Sequence, residues 1–133
     1  MARILVVEDN VQNLKLAALL LRSDGHEIVP AADAREAEEA LSRSVPDLIL
    51  MDLGLPGKDG YTLTRELRQR ATTHDTPILA VTSFAMKGDR ERALEAGCSD
   101  YVTKPIDRTD LLRRVHRLLG SPSSAAAAPG GPV

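Results

Sequence analysis

Aromatic side chains are nearly missing: the 133 residues hold two tyrosines, one phenylalanine and no tryptophan. Proteins that track single-stranded nucleic acid stack bases on such rings, so that class is excluded as a first expectation. Cysteine is equally scarce. Cys98 stands alone, which rules out an intrachain disulfide or a thiolate zinc cluster and fits a reducing, cytoplasmic compartment. No apolar run approaches the roughly 20 residues needed to span a bilayer, and the run after Met1-Ala2-Arg3 is too short for a signal peptide, so a soluble chain with no membrane association is expected. An excess of either charge is also lacking. Seventeen basic and 19 acidic residues leave a formal charge of -2, which gives no broad attraction for polyanions.

What is present suits one ordinary core: 43% of residues are apolar, enough for a domain of this length. Short apolar runs recur at Ile4 to Val7, Ile28-Val29, Leu48 to Met51, Ile78 to Val81 and Tyr101-Val102. Continuous apolarity predicts strands covered on both faces. Between them lie helical periods. Val11, Leu14, Ala18 and Leu21 line one face of a first helix, Ala34, Ala37 and Leu41 of a second, and Leu111, Val115 and Leu118 of the last. Stretches 60–70 and 87–96 supply two more. Asp33 followed by Glu36 has the form of a capping box, and Gly25, Gly97 and Gly120 fall where helices should end. Five βα units in alternation predict an α/β fold with a five-stranded parallel, doubly wound, flavodoxin-like sheet of order 2-1-3-4-5.

In such a sheet every strand opens its carboxyl end onto the same rim, where ligands bind. Glu8-Asp9 closes the first strand, Asp52 the third, Thr82 the fourth and Lys104-Pro105 the fifth. Three crowded carboxylates resist joint ionisation unless a cation sits among them, so Glu8, Asp9 and Asp52, with a backbone carbonyl near Gly54, are expected to hold Mg2+ or Mn2+. Asp52 is placed to attack phosphorus and form an acyl phosphate. Lys104 is placed to offset charge on the transferred group, and Thr82 to reach one of its oxygens. The Lys104-Pro105 bond is expected to be cis, turning the lysine back over the rim. Each residue also has a plainer use: Asp52 as a turn cap, Asp9 or Asn10 as the first helix's N-cap, Thr82 as an ordinary strand residue, Lys104 as a surface lysine. Two anions where the first helix begins argue against a nucleotide or flavin phosphate at that point.

In this order and spacing, Glu8-Asp9, Asp52, Leu55-Pro56-Gly57-Lys58-Asp59-Gly60, Thr82, Ala96-Gly97-Cys98-Ser99-Asp100-Tyr101 and Lys104-Pro105-Ile106 make residues 3 to 119 resemble a receiver domain of the two-component response regulators, of the chemotaxis-regulator kind that stands as a single domain. The resemblance implies Asp52 as phosphoacceptor, Glu8, Asp9, Asp52 and the Gly54 carbonyl around Mg2+, and Thr82 and Lys104 on the phosphoryl group. Tyr101 matches the family's switch aromatic, which turns inward as Thr82 moves toward phosphate. It also implies a phosphohistidine donor, either a histidine kinase or a phosphotransfer protein, and a downstream protein partner on the face of the fourth helix, fifth strand and fifth helix. Such a domain is not an enzyme with a separate substrate, although it catalyses its own phosphorylation and slow dephosphorylation. Ser83 and Lys58 depart from the usual residues, and neither removes a required group. Gly54 and Phe84 occupy positions that vary within the family and affect acyl phosphate lifetime.

Two other readings stay open. One is a receiver fold used only for docking, without phosphorylation. The other is an aspartyl-nucleophile phosphohydrolase, which needs a second Asp two places beyond the nucleophile, where this chain has Gly54. Arg108, Arg113, Arg114, His116 and Arg117 crowd the last helix, and a solvated face is expected there without direct nucleic-acid contact, since no helix-turn-helix accompanies them. His26, His74 and His116 are scattered and show no ligand spacing. Residues 1–119 are expected to form the receiver domain, and 120–133, rich in Ser, Ala, Pro and Gly, a flexible tail.

Overall fold

The computed structural model describes residues 2–83 and 88–120. The apolar runs become strands β1 (Arg3–Val7), β2 (Glu27–Ala31), β3 (Leu48–Asp52), β4 (Ile78–Thr82) and β5 (Asp100–Thr103), and the periodic stretches become helices α1 (Val11–Ser23), α2 (Ala34–Arg43), α3 (Gly60–Arg68), α4 (Asp89–Ala96) and α5 (Arg108–Leu119). All pairings are parallel and the order is β2-β1-β3-β4-β5, the doubly wound arrangement expected from the alternation. Phe84 and the proposed tail from Ser121 to Val133 lie outside the described residues.

Strand parity divides the core. Leu5, Val7, Ile49, Met51, Ile78 and Ala80 turn to one side, where Ala34, Ala37, Leu63, Leu67 and Ala93 of α2, α3 and α4 cover them. Ile4, Val6, Leu48, Leu50, Leu79 and Val81 turn to the other, against Ala17, Ala18 and Leu21 of α1 and Leu111 and Val115 of α5. β3 and β4 are buried at every position, so the central strands see water only at their ends. Each fully buried Leu or Ile contributes about 1.5–3 kcal/mol relative to exposure.

One expected core position is corrected. Val11 is 62% exposed, because the 13 residues of α1 span about 20 Å against about 16 Å for a five-residue strand, and the first turn overhangs the sheet. Leu14, Leu41 and Leu118 are partly buried and pack against the core rim.

The punctuation holds with one refinement. Asp33 Oδ1 accepts the Glu36 amide at 2.8 Å, while Glu36 Oε1 accepts from Ala32, one residue before the cap, at 2.8 Å. Gly97 ends α4 at φ 114, and a Cβ there would stand 2.6 Å from Arg68 Cγ, so both conformation and space demand glycine. Arg68 Nε then donates to the Gly97 carbonyl, and its Nη1 to the carbonyls of Thr73, His74 and Thr76. One guanidinium thus satisfies acceptors at the end of α4 and in the connection to β4. Pro30 lies within β2, opposite Val6. Since Glu27 sends its N–H inward to the Ala2 carbonyl, the alternate position 30 faces outward on this edge strand, and the proline removes no ladder bond.

Candidate functional site

Parallel pairing brings the carboxyl ends of β1, β3, β4 and β5 onto one rim, and with them Glu8, Asp52, Thr82 and Lys104. Glu8 and Asp52 are 5% and 4% exposed. Lys104 Nζ lies 3.0 Å from Glu8 Oε1 and 3.5 Å from Asp52 Oδ2, so one ammonium bridges two buried carboxylates. Glu8 Oε2 also accepts the Asn10 amide at 3.1 Å, and Asp52 Oδ1 accepts the Gly54 amide at 3.0 Å. The Lys104-Pro105 bond is cis.

The charges do not balance. Carboxylate oxygens of Glu8, Asp9 and Asp52 lie within 4.8 Å of one another, against one ammonium among the described residues, that of Lys104. Burial pushes the Glu8 carboxyl up, and the nearby Asp52 carboxylate adds to this, outweighing the Asn10 amide and Lys104. Lys104 is pulled down by burial, but Glu8 and Asp52 more than reverse this and hold it above the ordinary lysine value. A hard divalent cation fits such an all-oxygen, acid-rich set better than imidazole- or thiol-seeking metals do. Two of the carboxylates are buried at the rim and Asp9 is open to solvent.

The helix-capping alternative resolves in favour of Asn10, whose Oδ1 accepts the Asn13 amide at 2.9 Å. Asp9 is thereby released from that task. The turn-cap use of Asp52 is met only in part, through the Gly54 amide. Thr82 is buried at the end of β4, where its carbonyl accepts the Lys104 amide at 2.8 Å. Tyr101 is half-buried and packs against the core face shared by α2, α3 and α4. Lys58 and Ser83, the departures noted in the sequence, stand at the surface, Lys58 paired with Glu66 at 2.7 Å.

Beside Asp52 opens a cavity of about 400 Å3, lined by Gly54, Tyr61, Thr82, Ser83, Asp89 and Arg92 among others. The Arg92 guanidinium lies 4.4 Å from the centre of the Tyr61 ring, a cation–π contact that closes the outer wall between α3 and α4. Tyr61, Asp89 and Arg92 were not singled out in the sequence, and they become neighbours of the site only through helix packing. Asn10 was named there as a possible N-cap, from its place before an apolar period.

The comparisons agree with this geometry. Residues 4–116 match the response regulator receiver domain family. The response regulator PleD of Caulobacter vibrioides is 41% identical over 117 residues, which cover 88% of this chain but 26% of PleD, so the chain spans about a quarter of that relative's length. The polar-differentiation response regulator DivK of Brucella ovis is 38% identical over 117 residues, covering 88% of this chain and 95% of DivK. Among solved structures, the receiver domain of the sensor histidine kinase PA1611 of Pseudomonas aeruginosa PAO1, with a magnesium ion coordinated in its active site cleft, has a TM-score of 0.83 and 42% identity, covering 90% of this chain and 98% of that one. The chain belongs to the response regulator receiver domain family of two-component signalling.

Proposed function

We propose that the chain is a phosphorylation-switched signalling receiver whose phosphoacceptor is Asp52. The observation that carries this reading is the surplus of acid among the described residues of the rim, two buried carboxylates on one ammonium with a third carboxylate beside them, which no packing requirement explains. Asp52 Oδ1 is held by the Gly54 amide at 3.0 Å, whereas Oδ2 lies at the longer 3.5 Å from Lys104 Nζ. Oδ2 is therefore the nucleophile. It forms a bond to phosphorus as the phosphorus–nitrogen bond of a partner's phosphohistidine breaks, and the imidazole leaves. The donor is a histidine kinase or a histidine phosphotransfer protein.

Glu8, Asp9, Asp52 and the Gly54 carbonyl are the groups that would hold Mg2+, or Mn2+ with the same donors, and the ion would supply neutralisation of the phosphoryl oxygens. Lys104 shifts from the carboxylates toward the new phosphoryl group, and the Thr82 hydroxyl donates to one of its oxygens. Tyr101 then follows Thr82 inward and biases two pre-existing arrangements of the face formed by α4, β5 and α5, where a downstream protein docks. The domain accelerates its own phosphorylation and slow hydrolysis and turns over no separate substrate. The buried, unpaired thiol of Cys98 fits the reducing cytoplasm, and no helix among the described residues is long and apolar enough to cross a membrane.

Incubation with acetyl phosphate and Mg2+, followed by intact mass, tests the reading. The wild type should gain one phosphoryl group and Asp52→Asn none. Equal labelling of both, or labelling of neither, would overturn it; phosphorylation-independent docking would then account for the fold, and turnover of phosphomonoesters would point to a hydrolase.

A further inference from the structure

At the opposite end of the sheet from Asp52, three side chains from distant parts of the chain converge. Asp24 ends α1, His26 stands two residues later at the entry to β2, and His116 lies in the last turn of α5. Asp24 Oδ2 accepts from His26 Nε2 at 3.2 Å and from His116 Nε2 at 2.5 Å, the latter across 92 positions of sequence. One donor atom from each residue lies within 4.8 Å of the other two. The expectation that the histidines have no common site is thus corrected for His26 and His116; His74 pairs elsewhere, with Asp75.

We propose that Asp24, His26 and His116 form a second metal site, selective for a borderline divalent ion of the zinc class and independent of the oxygen-only cluster at Asp52. Two imidazole nitrogens and one carboxylate oxygen are the donor set of a three-ligand zinc site whose fourth position is taken by water, whereas magnesium favours oxygens. Tetrahedral bonds of about 2.0–2.1 Å place adjacent donor atoms roughly 3.4 Å apart. The His26–Asp24 edge, at 3.2 Å, already has about that length. The His116–Asp24 edge must open by under about 1 Å, within the reach of a side chain that is 61% exposed. His26, only 7% exposed at its side chain, is the fixed corner.

The hydrogen-bond pattern sets the proton movements. His26 Nδ1 accepts the Ala2 amide at 3.2 Å, so the ring proton sits on Nε2, facing Asp24. Coordination through Nε2 moves that proton to Nδ1 and releases the Ala2 amide. His116 likewise coordinates through a deprotonated Nε2. Asp24 is already held as a carboxylate: burial pushes it up, but His116 and His26 more than reverse this and keep it below the ordinary range. The site joins the end of α5 to the α1–β2 connection. It uses no residue of the phosphoacceptor rim.

The test is a titration of Zn2+ into the full chain in the presence of saturating Mg2+, followed by calorimetry, with Co2+ absorption as a second probe of coordination number. One Zn2+ per chain is expected, unchanged in Asp52→Asn and weakened roughly tenfold or more in His116→Ala and in His26→Ala. Co2+ should show the intense visible bands of a four-coordinate ion, and the Ala2 amide resonance should shift on binding. His116 is exposed, so His116→Ala should keep the wild-type circular dichroism and acetyl phosphate labelling, which separates loss of the metal from loss of the fold or of the phosphoacceptor site. Equal Zn2+ affinity in wild type and His116→Ala, failure of the wild type to bind, or loss of binding in Asp52→Asn but not in His116→Ala would each overturn the proposal.

Discussion

Two charged clusters hang on β5, only a few residues apart, and they are built in opposite ways. Asp100, at the start of the strand, is one buried acid met by two cations: Arg114 donates to both of its oxygens at 2.7 and 2.8 Å, and Arg117 to Oδ2 at 2.6 Å. Lys104, just past the strand's end, is one cation met by two buried acids, with a third beside them. Around Asp100 both oxygens have charged donors, Arg117 continuing into solvent and Arg114 turning its Nε to Asp110. Around Lys104, among the described residues, the acids outnumber the cations. The first arrangement fastens α5 to the sheet. The second, among the described residues, is short of positive charge, which suits the proposed binding of a cation and a phosphoryl group.

Removing the central charge from each cluster should therefore have different effects. The largest is expected for Lys104→Met, which should slow labelling of Asp52 by acetyl phosphate on the order of a hundredfold, the usual loss when one group stabilising transferred charge is deleted. The protein should still fold, as urea denaturation would show. Unaltered labelling would mean that the lysine only neutralises the rim. Asp100→Ala should do the reverse, lowering stability by about 2 kcal/mol through loss of its charge-assisted hydrogen bonds, with labelling retained. A loss of labelling without loss of stability would erase the contrast.

Acid sharpens the comparison further. Burial pushes the Asp100 carboxyl up, but the Tyr101 amide, Arg114 and Arg117 more than reverse this and hold it below the ordinary aspartate value of 3.8. A depressed folded value gives stability that is complete above the unfolded value and is lost as pH falls through the folded one. Urea midpoints at about pH 6, 4 and 3 should accordingly show the advantage of wild type over Asp100→Asn full at the first and shrinking toward the last. The smallest effect is expected at Lys58–Glu66, a one-to-one pair with both side chains more than a third exposed, at 40% and 38%. Lys58→Ala should change stability by under about 0.5 kcal/mol, a baseline against which the β5 clusters can be judged.

The contrast also shows what a chain of residues can disclose before it is folded. Asp52, Glu8-Asp9 and Lys104 were legible because each terminates an apolar strand, and strand ends in a parallel sheet share a rim whatever their distance in sequence. The sheet order and the capping of α2 and α4 were legible for similar local reasons. Asp100's partners were not, since Arg114 and Arg117 read as solvated members of a basic helix until α5 is docked on β5. Nor was the meeting of His26 with His116, which depends on where α5 ends relative to the α1–β2 connection. Arg68, inside a stretch assigned only as a helix, reaches the Gly97 carbonyl 29 residues away. Local chemistry names the strands and the acids at their tips. Lateral packing of helices decides the rest.

Pro30 bears on how the molecule meets its own kind. The outer margin of a sheet normally offers a continuous row of amide donors onto which another polypeptide can zip, and that is how sheets grow into fibres. Here the row is interrupted at Pro30, on the outward side of β2. A stray strand approaching that margin finds a missing rung, so the sheet is finished at β2.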